Sequence, residues 1–189
     1  MVDETSDKEL MLRVGRQDHA ALEELLRRWD RRVLTFLAKV CGDREAAQDL
    51  RQEVFIRVYR YGATYNPDYA FTTWLFRIVR NVMSSWRVRQ SRIPRAAAIG
   101  IEEMTLLDPA LGPSDKAAQS ETVLRVRQAV GQLAPQEQEL IVMRMYMNMN
   151  YREIAEIMDI PETTIKSRFY VLLGRLRETL SGVRPPERN

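Results

Sequence analysis

The sequence predicts an all-α fold of two small helical domains joined by an irregular linker. Three observations carry that expectation. Apolar residues recur every three or four positions through most of both halves, and no strand-like alternation competes with them. Between the halves, residues 93–120 lose the helical period and are interrupted by Pro94, Gly100, Pro109, Gly112 and Pro113. The expected divisions are therefore residues 1–92, a linker at 93–120, a second domain at 121–181 and a tail at 182–189. Gly182 and Pro185-Pro186 leave the tail little to bury, so it is expected to be disordered. A linker of this length would reach about 90 Å fully extended, or about 30 Å as a flexible coil.

Each element has its own signal. Asp7 through Val14 reads as a short first helix. From Ala21, the residues Leu22, Leu25, Leu26, Trp29, Val33, Phe36, Leu37 and Val40 form the apolar stripe of a long one. Cys41-Gly42 ends it, and Asp43 is placed to cap the next helix, Arg44 to about Tyr61, whose buried residues should be Ala47, Leu50, Val54 and Val58. Gly62 to Asp68 is a loop with an Asn66-Pro67 turn signal. Phe71, Trp74, Leu75, Ile78, Val79, Val82 and Met83 mark another helix, which runs on through Trp86 and Arg89. In the second half, Val123, Val126, Val130 and Leu133 suggest one helix, and Pro135 opens another that leads through Leu140 and Ile141 to Tyr146.

Asn150 to Leu180 then reads as two helices around a tight turn. Asn150 and Glu153 have capping-box spacing, and the first helix should bury Ile154, Ala155 and Met158. Asp159-Ile160 makes the turn, with Pro161 at the first position of the second helix. Ile165, Phe169, Leu172, Leu173, Leu176 and Leu180 share one side of that helix, while Lys166, Ser167, Tyr170 and Arg177 project elsewhere. A short helix, a tight turn and a longer basic helix form the arrangement that sets a recognition helix in the DNA major groove. An ordinary amphipathic pair with a solvated basic face has the same pattern.

Composition narrows the function. At 45% hydrophobic and 29% charged, the 189 residues describe a soluble globular chain able to build a core. A net charge of +3 is too modest to argue for an anionic partner by itself, so local placement of basic residues must do so. Cys41 is the single cysteine and His19 the single histidine, which excludes an intramolecular disulfide and a His/Cys zinc site within one chain. No cofactor, metal site or catalytic constellation is expected, so the chain does not read as an enzyme. Cys41 is expected to pack as a small apolar residue. Met143, Met145, Met147 and Met149 raise a soft-metal thioether site. Alternate residues on a helix do not share a face, so adaptable packing is the better expectation for them. No stretch approaches the eighteen or so apolar residues that span a bilayer, and the amino terminus lacks a secretory pattern. Membrane insertion is not expected, and the expected compartment is the cytoplasm.

Three stretches, DREAAQDLRQEVFIRVYR, AFTTWLFRIVRN and LAPQEQELIVMRMYMNMNYREIAEIMDIPETTIKSR, resemble the extracytoplasmic-function (ECF) sigma factors of bacterial RNA polymerase. The first two are similar to the sigma-two domain and the third to sigma-four. The resemblance implies a subunit that binds core RNA polymerase and directs it to promoter DNA, with an anti-sigma protein as a further partner. On the helix after Asp43 it implies polymerase contacts around Asp49, Leu50, Gln52, Glu53 and Phe55, of which Leu50 falls on the apolar stripe and is expected in the core. Around the loop before AFTTWLF it implies recognition and opening of the −10 element. Tyr65, Asn66, Asp68 and Tyr69 would then form a pocket for an extruded base, and Arg77, Arg80, Asn81, Arg87 and Arg89 a track for the released strand. Those residue types suit the task, since a flipped base needs stacking surface and polar partners and a single strand needs a basic path. Trp74 lies on the apolar stripe and belongs to the core; Trp86, at its edge, is placed for packing or stacking.

In the second domain the resemblance implies −35 reading by Lys166, Ser167 and Tyr170, with Thr163, Thr164 and Arg168 nearer the helix start or the phosphates. The chain departs from the family pattern at Asp159 and Thr163, where glycine is frequent, and at Gln138, where arginine is common. Two further readings remain open on the residues alone. One is a sigma mimic that sequesters an anti-sigma factor; the other is a simple helix-turn-helix regulator.

Overall fold

The computed structural model describes residues 6–91, 125–126 and 128–181. The expected linker at 93–120, the 182–189 tail and Val123 lie outside these residues. Within them the chain is helical without strands, and several helices begin where a side chain satisfies their free N–H groups. Helix α1, Asp7–Val14, opens on a reciprocal capping box between Ser6 and Glu9. Helix α2, His19–Cys41, is capped by Asp18 and ends at Gly42, whose φ of 69° is the left-handed conformation glycine adopts freely. Asp43 caps α3, Arg44–Tyr61, by accepting from the N–H groups of Glu45 and Ala46. A 3-10 turn, Gly62–Thr64, and a short loop lead to α4, Phe71–Ser91. Gly62 is there because α1 crosses it closely: a Cβ would stand 3.0 Å from the Met11 Cε atom and 3.1 Å from Val14 Cγ1.

The core of the first domain follows the apolar stripes expected for α2 and α3, and on α4 adds Phe76 while Trp74 and Ile78 are only half-buried. Val33, Phe36, Leu37, Ala47, Val54, Leu75, Phe76, Val79, Val82 and Met83 are buried, and Phe36 meets Phe76 edge-on at 5.3 Å. Each large side chain of this set contributes about 1.5–3 kcal/mol by leaving water. Leu22 and Leu26 sit at the margin of the stripe, half-buried. Helix α1 is tied to α2 by Asp7, which accepts from the Trp29 indole at 2.8 Å and from Arg28 at 3.0 Å.

The second domain contains the helical residues 128–131, then α5, Pro135–Ile141, which runs directly into a π-helical turn, Val142–Tyr146. Helix α6, Tyr151–Met158, starts on the expected Asn150/Glu153 box, with reciprocal bonds of 2.9 and 2.8 Å. It buries Ile154, Ile157 and Met158, while Ala155 is only half-buried. Asp159 ends it in the left-handed region, φ 56° and ψ 48°. Helix α7 is Glu162–Ser181. Pro161 stands one position before its expected place, and its carbonyl accepts the Ile165 N–H at 3.0 Å. The α7 stripe is covered in part: Ile165, Phe169 and Leu172 are buried and Leu176 is half-buried against the core, whereas Leu173 and Leu180 are exposed. Of the four methionines, Met143, Met147 and Met149 are packed and Met145 is 62% exposed, so the thioethers do not converge.

The two domains touch. The α4 helix lies along α6, and α2 meets α5 and the π-turn. Arg32 donates to the Met147 carbonyl at 3.2 Å, and the Lys39 ammonium sits 3.7 Å from the centre of the Tyr146 ring. No helix among the described residues is long and apolar enough to cross a membrane.

Candidate nucleic-acid interface

Three surfaces carry the residues singled out from sequence. The first is the outer face of α3. Burial of Ala47, Leu50, Val54 and Val58 on one side turns Asp49 and Gln52 outward, both exposed. Glu53 is half-buried and accepts from Arg57 at 2.7 Å, one helical turn away. Phe55 is half-buried against the core, and beside it Ile56 and Tyr59 are exposed apolar surface that the sequence patterning did not single out. The face therefore mixes acidic, amide and apolar groups.

The second surface is the loop 65–70 with α4. Tyr65 is 94% buried rather than presented to solvent (6% exposed). Its ring meets Phe71 and Trp74 edge-on, and its hydroxyl donates to the Tyr69 carbonyl at 2.8 Å. Burial, with the Asp7 charge adding, pushes its phenol pKa up, so the hydroxyl stays protonated as a donor. Tyr65 thus forms the floor that shapes the loop. Asn66 makes an Asx turn by accepting the Asp68 N–H at 2.9 Å. Asn66, Asp68 and Tyr69 are exposed above that floor, with Tyr69 at 52%. Trp74 and Trp86 are both half-buried and packed against the core.

The α4 arginines divide. Asn81 and Arg89 face solvent. Arg77, Arg80 and Arg87 turn toward the second domain. Arg77 donates twice to the Glu156 carbonyl, at 2.9 and 2.7 Å. Arg80 donates to the Ile157 carbonyl at 2.8 Å and to the Glu139 carboxylate at 2.9 Å, and Arg87 binds the other oxygen of Glu139. Glu139 went unnoticed in the sequence because its importance lies in contacts 52 and 59 residues away. No local signal announces such a pairing.

The third surface is α7. Thr163, Lys166, Ser167, Arg168 and Tyr170 are exposed and Thr164 is half-buried. Lys166 pairs with Glu162 at 2.6 Å, and this neighbour raises the lysine's pKa, keeping it charged. Its ammonium also lies 5.9 Å from the Tyr151 ring centre. The Ser167 hydroxyl donates back to the Thr164 carbonyl at 3.0 Å, so donating to a phosphate would require it to rotate, while its lone pairs can still accept. Gln138 stays within its domain and donates to the carbonyls of Gly131 and Leu133. Arg144, also unmarked by the sequence reading, ties the Met149 carbonyl beneath this helix pair and lies 5.0 Å from the Tyr151 ring.

Among the described residues, no group of His, Cys, Asp and Glu side chains is arranged to hold a metal ion. Cys41 packs against the core and donates to the Leu37 carbonyl, and burial pushes its thiol up to about 11.

Residues 25–93 match the family Sigma-70 region 2, and residues 124–170 match Sigma-70, region 4. An ECF RNA polymerase sigma-E factor of Haemophilus influenzae is 30% identical over 176 residues, covering 90% of this chain and 93% of that one. An RNA polymerase sigma-H factor of Pseudomonas aeruginosa is 28% identical over 192 residues, covering 98% and 97%. Among solved structures, CnrH in complex with the cytosolic domain of CnrY superposes with a TM-score of 0.69 at 22% identity, covering 94% of this chain and 99% of that one. The sigma factor RpoE in complex with the anti-sigma factor NepR, from Bartonella quintana, gives 0.65 at 20% identity, covering 86% and 98%. The two structures establish a shared fold.

Proposed function

Because the chain belongs to the ECF RNA polymerase sigma factors, we propose that its two domains divide promoter recognition between the −10 and −35 elements. It is an alternative sigma factor that directs transcription initiation. The observation that carries the division of labour is the outer face of α7, where Thr163, Lys166, Ser167, Arg168 and Tyr170 stand exposed on a helix entered through a tight turn. Laid in the major groove, the first turns of such a helix present long polar side chains to base edges. Lys166 and Tyr170 are assigned to the bases, and Thr163, Thr164 and Arg168 to the flanking phosphates. The positive end of the α7 dipole favours the same phosphates.

In the first domain, the exposed side chains of Asn66, Asp68 and Tyr69 receive the extruded −10 base, with Tyr65 holding the loop from below. Arg77, Arg80, Asn81, Arg87 and Arg89 then follow the separated strand. Asp49, Gln52, Glu53 and Phe55 meet core polymerase. The factor contributes binding energy and strand separation, and nucleotide chemistry belongs to the polymerase, so the chain has no catalytic role. Its place of work is the cytoplasm. CnrH and RpoE were each solved bound to a partner, the cytosolic domain of CnrY and the anti-sigma factor NepR. We assign this chain a partner of that kind.

Run-off transcription with core polymerase on a promoter library tests the proposal. Promoter-dependent starts that appear only with this chain present are the expected result. Stable core binding without any such start would overturn it.

A further inference from the structure

Glu139 is the sole buried charged residue among the described residues, 3% exposed, although it belongs to a short helix of a different domain from its partners. One carboxylate oxygen takes Nε of Arg80 and the other takes Nη1 of Arg87. Arg80 donates a further bond to the Ile157 carbonyl and Arg77 donates twice to that of Glu156, at the carboxyl end of α6, the negative end of its dipole. Three arginines on one side of α4 are therefore engaged by a carboxylate and two carbonyls of the second domain. Among buried side-chain atoms of the described residues, Nη2 of Arg87 stands without a partner. Both carboxylate oxygens are engaged. A phosphodiester likewise offers two charged oxygens to guanidinium forks, and its pairing with arginine is among the strongest charge-assisted hydrogen bonding available.

We infer that Glu139 is an internal substitute for a DNA phosphate, so that the free factor holds its own single-strand track closed until the second domain swings away. The inference rests on the reading of α4 as the path of the −10 strand and adds how that path is regulated. The same arginines cannot hold Glu139 and a strand at once, so closure and strand binding exclude each other. By reciprocity, a strand that enters must open the molecule. The device is electrostatic in origin, because a neutral glutamine keeps the shape but offers a single acceptor oxygen and turns two N–H donors toward the guanidinium groups.

The test uses the full chain without polymerase and a fluorescein-labelled oligothymidylate of about twelve nucleotides, long enough for a sequence-independent strand track. Fluorescence anisotropy reads affinity and small-angle X-ray scattering reads the radius of gyration. Glu139→Gln is expected to bind the oligonucleotide about tenfold or more tightly than the parent and to be more expanded, the size of the gain reporting how far the parent favours closure. Glu178→Gln removes the same charge from an exposed site on α7 and should change neither reading. Unchanged affinity and unchanged dimensions in folded Glu139→Gln would overturn the inference, as would failure of both the parent and the variant to bind. Should Glu139→Gln not fold, the parent decides alone: expansion at saturating oligonucleotide supports the exclusion, and a bound yet equally compact molecule refutes it. Run-off transcription by the parent with core polymerase separately reports whether the underlying sigma reading holds.

Discussion

Replacing Tyr65 with phenylalanine removes one hydroxyl, and the surrounding geometry sets what that loss costs. The hydroxyl donates to the Tyr69 carbonyl at 2.8 Å across the loop. Tyr69 is 52% exposed, so its carbonyl can turn to water when the donor is gone. The loss should fall near the lower part of the range for a buried hydrogen bond, about 1 kcal/mol. In a domain of this size that is a fall of about 4–8 °C in the melting temperature. Tyr65→Ala also removes the edge-on contacts to Phe71 and Trp74, at 6.2 and 5.5 Å, and leaves a cavity. That variant should lose about 3–5 kcal/mol and with it much of the first domain's stability. If Tyr65 anchors the loop from beneath, Tyr65→Phe loses promoter opening only in proportion to this destabilisation, a few-fold at most by the same 1 kcal/mol. Urea unfolding and single-promoter run-off transcription measure the two quantities on one preparation. Parental stability combined with a loss of opening greater than about tenfold would place the hydroxyl on the DNA and refute the anchoring argument.

Three further outcomes are expected. Lys166→Ala breaks an exposed pair with Glu162 and a long approach to the Tyr151 ring, so stability should move by no more than about 0.5 kcal/mol. Initiation that depends on a −35 element should nonetheless fall by about tenfold to a hundredfold in transcription assays, the worth of a lost base contact. Asp159→Gly relieves a left-handed residue at the α6 terminus, which costs a side chain about 1 kcal/mol or more, and gives back part of that through a freer unfolded chain. A net gain of about 0.5 kcal/mol in urea unfolding is expected, and a loss would show that the Asp159 side chain does more than tolerate the turn. Cys41 has a folded pKa of about 11 against an ordinary 9.0, so the unfolded chain releases its proton first as pH rises. Its contribution to stability is intact below pH 9 and declines toward pH 11, and Cys41→Ala should flatten that decline in thermal melts.

The helices were legible because their signals are local. Ser6, Asp18, Asp43 and Asn150 each cap a helix through an N–H two or three residues away, and the α2 to α4 stripes need only a 3.6-residue period. Leu173 and Leu180 keep that period on α7 yet stay exposed, since periodicity shows which residues share a side and not whether another element covers it. Tyr65 sits among loop residues suited to binding, and its burial comes from Phe71 and Trp74 folding over it. Arg77, Arg80 and Arg87 were recognisable as a row seeking anions. Which anion occupies the row in the free protein depends on how two domains meet, and residues 93–120 between them carry no periodic signal from which that meeting could be read. The π-turn was equally hidden, because the apolar run through Ile141, Val142 and Met143 fits an ordinary helix.

That turn has a consequence for how the two halves are aimed at each other. In Val142–Tyr146 the Met147 N–H reaches back five residues to the Val142 carbonyl, so the helix carries one residue more than an α-turn would. Without it, everything downstream would be rotated by about 100° around the helix axis. Tyr146 would leave the Lys39 ammonium, and the Met147 carbonyl would swing off Arg32. A single residue of phase, spent inside one helix, points the second domain's backbone at the first.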